Sequence, residues 1–204
     1  TFSTEGLRQA LTGVDTAFYL IHSMGAGEDF SQLDRQSAAN FLDACIYCGV
    51  RRIIYLGGLG DPSSASKHLT SRLETGAILS SRPDQIQTIW FRAGVIIGSG
   101  STSFEIIRHL VEKLPVMTTP RWVRTRTQPI GINDVLAYLD AAIDLKVEGN
   151  LVVDIGMEAM SFKDMLKQTA TTLGLHRTIL PVPVLSPHLS TFLLTLVTPI
   201  PYRS

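Results

Sequence analysis

The stretch that decides the fold is Arg52-Ile53-Ile54-Tyr55-Leu56-Gly57-Gly58-Leu59-Gly60-Asp61, an apolar strand that runs directly into a turn rich in glycine. A continuous apolar strand is typical of a parallel sheet that is buried on both faces. Open α/β sheets place their ligands at the carboxyl ends of such strands. The helix that follows presents His68 and Arg72, four residues apart, on one face. We therefore expect a site at the end of this strand, beside that helix face.

Strands and helices alternate along the rest of the chain, which predicts an α/β fold with a parallel sheet flanked by helices. The predicted strands are 16–21, 53–56, 86–97 with an interruption near 92–94, and 151–155. The predicted helices are 3–11, 31–48, 67–81, 104–114, 133–144 and 161–173. Residues 118–127 are expected to be irregular, and the end of the chain is expected to be a proline-rich tail. The side chains expected to face inward from the second helix are Leu33, Phe41, Cys45 and Ile46.

Length and composition indicate a globular protein, because 204 residues with 45% hydrophobic and 18% charged side chains can bury an ample core. Eighteen basic residues balance eighteen acidic ones, so no net charge favours nucleic acid or anionic lipid. Small molecules and other proteins are the expected partners. No apolar stretch approaches the ~20 residues that a membrane-spanning helix requires, so we expect a cytoplasmic protein without a membrane partner.

The two cysteines, Cys45 and Cys48, have the spacing of a thiol redox pair. They close a predicted helix that ends at Gly49, however, and the negative end of the helix dipole disfavours a thiolate. We interpret them as packing residues, and we predict no metal site.

A dinucleotide-binding sheet normally opens with a strand, a glycine-rich turn and a helix whose N-terminal amides bind the pyrophosphate. No segment before Thr16 has this pattern. The glycines within 94–100 follow a late strand and lack an acidic partner for the ribose, which makes them a weak match. We expect the pyrophosphate-binding segment to lie outside this chain.

Three segments in order, 19–25 (YLIHSMG), 49–60 (GVRRIIYLGGLG) and 91–100 (FRAGVIIGSG), are followed by Gln128-Pro129-Ile130 and Asp134. Together they resemble the atypical, extended branch of the short-chain dehydrogenase/reductase superfamily. The most similar members are NAD(P)-binding proteins of the nucleoside-diphosphate-sugar epimerase-like or NmrA-like kind. The resemblance runs from about Leu7 to the tail.

The resemblance implies a Rossmann-like sheet that is N-terminally incomplete, since the family's first strand and glycine-rich turn would precede Thr1. It implies that 1–115 is the C-terminal part of an NAD(P)-binding domain. It also implies that 116–204 is a substrate-side lobe that supplies a last sheet strand near 151–155.

The resemblance also implies the site residues. In the family, the loop after the fourth strand passes along the cofactor ribose. In this chain that loop follows the predicted strand 16–21 and consists of His22, Ser23, Met24 and Gly25. The positions expected beside the nicotinamide are Ala93, Gly94 and Val95. For these three positions, a simple bend at the strand end is the alternative interpretation.

Three catalytic positions of the family are altered. The Ser or Thr at the end of the second strand is Gly57 or Gly58, and the Tyr and Lys of the next helix are His68 and Arg72. In the family the Lys lowers the pKa of the Tyr and binds the nicotinamide ribose. Arg72 could supply charge and ribose hydrogen bonds, and His68 could exchange a proton near neutral pH. A solvated helix start is the alternative interpretation of these two residues.

Two further features have structural alternatives. Arg121, Arg124 and Arg126 surround Trp122, and this basic patch would fit either an anionic ligand or a solvated loop. Asp134 is interpreted as the acidic residue at the start of a helix.

The leading functional hypothesis is an NAD(P)-dependent oxidoreductase or epimerase-like enzyme that acts on a small carbonyl or sugar-nucleotide substrate, with His68 or water relaying protons. NAD and NADP are equally open as cofactor. The first alternative is a regulator of the NmrA-like kind that binds NAD(P) without turnover. The second is an inactive fragment that forms a homo-oligomer through an uncovered apolar edge strand at 16–21.

Overall fold

The computed structural model describes residues 3–23, 30–119 and 121–181. The helices α1 to α6 are Thr4–Leu11, Phe30–Tyr47, Lys67–Leu79, Thr102–Lys113, Ile132–Ala141 and Phe162–Thr172. The strands β1 to β10 are Thr16–Tyr19, Arg52–Gly58, Gln87–Ala93, Ile96–Ile97, Val116–Thr119, Arg126–Thr127, Ile130–Gly131, Leu151–Ile155, Met160–Ser161 and Thr178–Pro181. Short 3-10 helices cover Pro62–Ser64 and Arg121–Arg124.

Four strands form the main sheet in the order β1-β2-β3-β8, and every neighbouring pair is parallel. Tyr19 pairs with Tyr55, which pairs in turn with Trp90, so the strands are in register across the sheet. The connections between them contain helices, as a parallel sheet requires. The predicted α/β fold with a parallel, helix-flanked sheet is therefore confirmed.

The main sheet belongs to a compact unit made of residues 1–94 and 133–155. On one face, Tyr19 packs edge-on against Phe41 and Tyr55, with ring centroids 5.0 and 5.9 Å apart. Helices α1, α2 and α3 contribute Leu11, Phe41 and Leu79 to the same buried cluster. Burial of these large side chains stabilises the sheet, since each contributes about 1.5–3 kcal/mol of transfer free energy.

The inward face of α2 differs from the prediction at one residue. Phe41 and Cys45 are buried and Ile46 packs against the core, but Leu33 is 59% exposed. The residue that turns inward instead is Asp34. The buried stripe starts at Asp34 and continues through Ala38, which places the neighbouring Leu33 on the solvent side of the 3.6-residue repeat.

The cysteine pair is part of the core. Cys45 is fully buried, and burial raises the pKa of its thiol to about 12. Cys48 is half-buried, and neither residue forms a disulfide. A thiol held neutral in this way agrees with the packing interpretation.

The described residues within 95–132 and 156–181 form a second compact unit. Its short pairings are β4 with β7 and β5 with β10, both parallel, and β6 with β9, antiparallel. Its core includes Ile107, Val111, Met117, Met165 and Leu166. The division predicted at residue 115, and the role of a substrate-side lobe, stay predictions.

Several bounds and one whole pairing differ from the sequence-based expectations. The first strand ends at Tyr19, and the interrupted strand 86–97 is two strands, β3 and β4, in different sheets. The region 118–127, expected to be irregular, includes the end of β5, which pairs with β10 near the predicted tail, and the short strand β6. Residues 182–204 of that tail lie outside the described residues. Over the described ranges, none of the helices is long and apolar enough to cross a membrane.

Candidate functional site

The carboxyl ends of β1, β2 and β3 meet at one edge of the main sheet because the three strands are parallel. Gly58 and Ala93 are register partners at this edge, and the Leu59 N–H donates to the Ala93 carbonyl at 2.8 Å. His22 and Ser23 follow the end of β1; His22 is exposed and Ser23 half-buried. The structure thus brings residues from all three strand ends to one edge.

Four of the predicted residues need separate mention. Met24 and Gly25 lie outside the described residues. Gly94 ends the part of the first unit that contains β3, and Val95 begins the second unit, where its carbonyl accepts from the Ile130 N–H at 3.0 Å. Contact of Ala93, Gly94 and Val95 with a nicotinamide stays a prediction.

Helix α3 starts directly beside this edge. Ser66 caps it by accepting a hydrogen bond from the Leu69 N–H at 3.3 Å. The Tyr55 hydroxyl donates to the Arg72 carbonyl at 2.9 Å, which ties the helix to β2. A Cβ atom at Gly58 would lie 3.4 Å from Cδ of Arg72, so the stem of Arg72 passes against the strand end. Arg72 therefore lies next to Gly58 at the strand end, as predicted.

His68 lies one turn before Arg72 on α3, and its ring contacts helix α2. Its ring stacks on Phe30, the first residue of α2, with centroids 4.6 Å apart and an angle of 19° between the planes. The imidazole is exposed to solvent at the same time. A stacked but accessible ring has a defined orientation and can still exchange a proton with a ligand or water.

The space beside Gly57 is already filled. A Cβ atom at this position would lie 2.6 Å from Nε1 of Trp90 and 2.9 Å from Cε1 of Tyr55. Trp90 Nε1 is buried without a hydrogen-bond partner among the described residues. A serine or threonine at position 57 would therefore require the indole to move.

A buried carboxylate that the sequence analysis did not identify lies behind the site. Asp34 is 7% exposed and its Oδ1 accepts hydrogen bonds from the Ser23 N–H at 3.0 Å and the Ser23 hydroxyl at 2.7 Å. Its Oδ2 accepts from the hydroxyl of Ser71, which is 1% exposed, at 2.8 Å. Burial alone would raise the pKa of Asp34, but these hydrogen bonds outweigh it and the pKa is lowered.

The charged groups of the site influence one another. Partial desolvation of the imidazole lowers the pKa of His22, and the charges of Arg72 and His68 lower it further. Asp34 acts in the opposite direction on the same pKa. The structure therefore gathers one anion and three basic side chains around the end of β1.

No family model matches the chain, and no curated protein matches it. Solved structures do. MoeE5 in complex with UDP-glucose and NAD is 16% identical with a TM-score of 0.69, over 87% of this chain and 69% of that one. The Citrobacter sp. triphenylmethane reductase complexed with NADP(H) is 17% identical with a TM-score of 0.73, over 98% and 66%. The Bacillus cereus UDP-N-acetylglucosamine 4-epimerase is 14% identical with a TM-score of 0.72, over 97% and 76%.

The chain has a Rossmann-like fold. The resemblance to extended short-chain dehydrogenases/reductases is confirmed as a likeness of fold, since identities of 14 to 17% carry no more than that. The chain spans between 66 and 76% of the length of these three proteins.

Sequence reasoning missed Asp34 and Ser71 because it sought apolar residues on the inward face of α2. The available signal was periodicity: Asp34, Ala38 and Cys45 fall on one helical stripe, so a carboxylate continues the buried face of the Rossmann-like layer. A buried carboxylate requires donors. Ser71, which immediately precedes Arg72, was a candidate donor to this carboxylate.

Two other sequence features are the basic patch and Asp134. In the basic patch, Arg126 donates to the Ala159 carbonyl at 2.5 Å, which is a structural role, and the side chain of Arg121 is not described. Asp134 lies in the first turn of α5, as interpreted. Among the described residues, no cluster of His, Cys, Asp and Glu could hold a metal ion.

A cavity of about 390 Å³ lies at the opposite edge of the Rossmann-like sheet, where Thr16, Arg52 and Gln87 begin their strands. None of the predicted site residues lines it.

Proposed function

We propose that the carboxyl edge of the main sheet binds the nicotinamide half of NAD or NADP. We further propose that the protein is an NAD(P)-dependent oxidoreductase or epimerase-like enzyme that acts on a small carbonyl or sugar-nucleotide substrate. The observation that carries this proposal is that Arg72 of α3 passes against Gly58, at the edge where three parallel strands end, with His68 one turn earlier on the same helix. In open α/β sheets this is the edge that receives ligands.

The donors at this edge fit part of the cofactor. Within the described residues, Arg72 forms no ion pair through its guanidinium group, so its donors are available for ribose hydroxyls. The stem of Arg72 is oriented by Gly58, and its backbone is oriented by Tyr55. In contrast, the described residues before β1 form helix α1 and contain no strand and glycine-rich turn of the kind that opens such a sheet and binds a pyrophosphate. The fit therefore concerns the nicotinamide ribose and not the whole dinucleotide.

When bound, NAD(P) supplies hydride transfer. The chain's own contribution would be a proton, exchanged at the imidazole of His68, whose ring is held by Phe30. Arg72 would bind the ribose and provide positive charge. Because Gly57 and Gly58 carry no hydroxyl, a water molecule would have to orient the substrate oxygen in place of a Ser or Thr.

The similar structures support this kind of function. One of them holds UDP-glucose and NAD, and another holds NADP(H). A sugar-nucleotide substrate for this chain rests on the first of these, and a reductase reaction on the second. Location in the cytoplasm stays part of the proposal.

A regulator that binds NAD(P) without turnover is the second candidate. The observation in its favour is at Gly57, where Trp90 and Tyr55 occupy the space that the Cβ of a serine or threonine would need. The family's catalytic Tyr and Lys are also replaced in this chain, by His68 and Arg72. Among the positions that correspond to the family's catalytic residues, His68 is then the single candidate acid.

The test uses the full protein with NADH and NADPH, first for binding and then for turnover with a panel of carbonyl compounds and UDP-sugars. His68→Ala is compared with His176→Ala, which removes an exposed histidine from the second unit. The enzyme hypothesis predicts that only His68→Ala loses turnover, by about 100-fold or more, while cofactor affinity is retained.

Binding without turnover across the whole panel would favour the regulator. Absence of binding by either nucleotide would contradict both candidates, because both require the cofactor.

A further inference from the structure

Three elements converge on the carboxylate of Asp34. It belongs to α2, it accepts two hydrogen bonds from Ser23 in the loop after β1, and it accepts a third from Ser71 in α3. The loop carries His22, and Ser71 immediately precedes Arg72. One buried group thus joins the two segments that supply the basic side chains of the candidate site.

Side chains of α2 contact side chains of α3 along their interface. Phe30 stacks on His68 at 4.6 Å, Asp34 binds Ser71 at 2.8 Å, and Arg35 pairs with Glu74 at 2.8 Å. The Arg35–Glu74 pair is nearly half exposed on both sides, and such a pair adds little. The Asp34–Ser71 contact is buried, and hydrogen bonds to an ionised acceptor are about twice as strong as neutral ones. Asp34 is therefore the strongest polar link between the loop and the two helices.

We propose that Asp34 is the positioning residue of the candidate site. Its carboxylate holds the loop with His22 against the helix with His68 and Arg72, and thereby sets the arrangement in which these side chains meet the cofactor. This inference rests on the proposed function for the identity of the ligand. The placement of the loop against the helix rests on the contacts alone.

Charge gives the role a signature that simple packing would not have. The charge of Arg72 and the neighbouring imidazole of His68 disfavour the protonated form of His22, and the carboxylate of Asp34 favours it. Replacing the carboxylate by an amide of the same shape removes the attraction that favours protonated His22. The pKa of His22 should therefore fall further below its ordinary value.

The first measurement is an NMR titration of the histidine C2 protons in the full chain without nucleotide, with His22 assigned by a His22→Gln variant. Asp34→Asn is compared with Asp43→Asn. Asp43 lies on the same helix, and its exposed carboxylate pairs with Arg82. We expect the pKa of His22 to fall in Asp34→Asn and to stay at the wild-type value in Asp43→Asn. An unchanged pKa in Asp34→Asn would overturn the proposal.

The second measurement is the affinity for NADH and NADPH. We expect Asp34→Asn to bind the preferred nucleotide about tenfold more weakly. An amide accepts hydrogen bonds less strongly than a carboxylate, so the loop and the helix are held together less firmly. Asp43→Asn should bind like the wild type. Equal affinities for both variants would overturn the proposal.

Ser71→Ala provides a second variant if Asp34→Asn does not fold. It keeps the carboxylate and removes only the link to α3, so the pKa of His22 should stay close to the wild-type value while nucleotide affinity falls. Unchanged affinity would overturn the positioning role. A wild-type protein that binds neither nucleotide would refute the proposed function instead, and the titration of His22 would still decide whether Asp34 positions the loop.

Discussion

At Gly76 the helix α3 comes as close to the sheet as the backbone allows. A Cβ atom there would lie 2.3 Å from Cε2 and Cζ2 of Trp90, well inside van der Waals contact. Glycine is otherwise unfavourable inside a helix by about 1 kcal/mol relative to alanine. The close approach therefore explains why glycine occupies this position.

The first prediction follows from that contact. Gly76→Ala should lower the free energy of unfolding by about 1–3 kcal/mol, because overlap with Trp90 outweighs the gain in helix propensity. Chemical denaturation measures the change. Thr70→Ala, at an exposed position of the same helix, is the control and should be neutral or stabilising. Trp90→Phe should remove the penalty of Gly76→Ala, and a failure of this rescue would contradict the explanation.

The second prediction concerns Asp34. Since its pKa is lowered in the folded protein, the folded state binds this proton less readily than the unfolded state. The resulting stabilisation is complete above the unfolded pKa of about 3.9 and is lost as the pH falls through the folded pKa. Wild-type stability should therefore decrease below about pH 4 more steeply than that of Asp34→Asn.

Other carboxylates also titrate in this range, so Asp43→Asn is measured in parallel. Thermal unfolding between pH 3 and pH 7 gives the three curves. If Asp34→Asn and Asp43→Asn have the same pH dependence as the wild type, the hydrogen bonds of Asp34 do not lower its pKa.

At the scale of elements, the segment between α5 and β8 is held by side chains from the beginnings of β2 and β3. Arg52 donates to the carbonyls of Ala142, Ile143 and Leu145 at 2.6, 2.6 and 2.7 Å. Gln87 donates to the carbonyls of Val147 and Gly149. These bonds give hydrogen-bond partners to backbone carbonyls of the irregular segment that follows α5.

The third prediction compares two adjacent arginines. Arg52→Gln should lower the free energy of unfolding by about 2–3 kcal/mol, because three carbonyls lose a charged donor. Arg51→Gln should have little effect, since Arg51 is mostly exposed and pairs with Asp15 at the surface. Hydrogen exchange should show faster opening of residues 142–150 only in the first variant. Similar effects of both substitutions would refute the specific role of Arg52.

The local pattern determined the type and approximate bounds of most elements. Strand β8 has the predicted bounds, and α6 differs from its prediction by one residue at each end. In contrast, β5 was not predicted because its pairing partner, β10, lies far along the chain. A four-residue segment is stabilised by its partner strand, and that partner is invisible to a local pattern.

At the scale of the whole molecule, β1 has one strand partner, β2, among the described residues. Phe18 and Leu20 are 39% and 51% exposed beside its other edge, and the segment 16–21 carries no charge. Uncharged, apolar edge strands favour pairing with another chain. This is the observation behind the hypothesis of a self-associating fragment.

The fourth prediction tests that hypothesis. If the edge of β1 pairs between copies, sedimentation velocity should show association that increases with protein concentration, and Leu20→Lys should reduce it. Leu33→Lys is the matched control, because Leu33 is an equally exposed leucine on α2. A monomer at all concentrations would rule out edge pairing, as would equal behaviour of the two variants.

The sequence by itself determined the alternation of strands and helices, the parallel sheet and the edge at which its strands end. It also indicated that His68 and Arg72 share one face of the next helix, because apolar runs, helical repeats and i,i+4 spacing are local properties. Only the tertiary structure decided that Asp34 turns inward to bind Ser23 and Ser71, and that Trp90 fills the space beside Gly57. These contacts join segments that are distant in the chain, and their geometry is set by the packing of helices on the sheet.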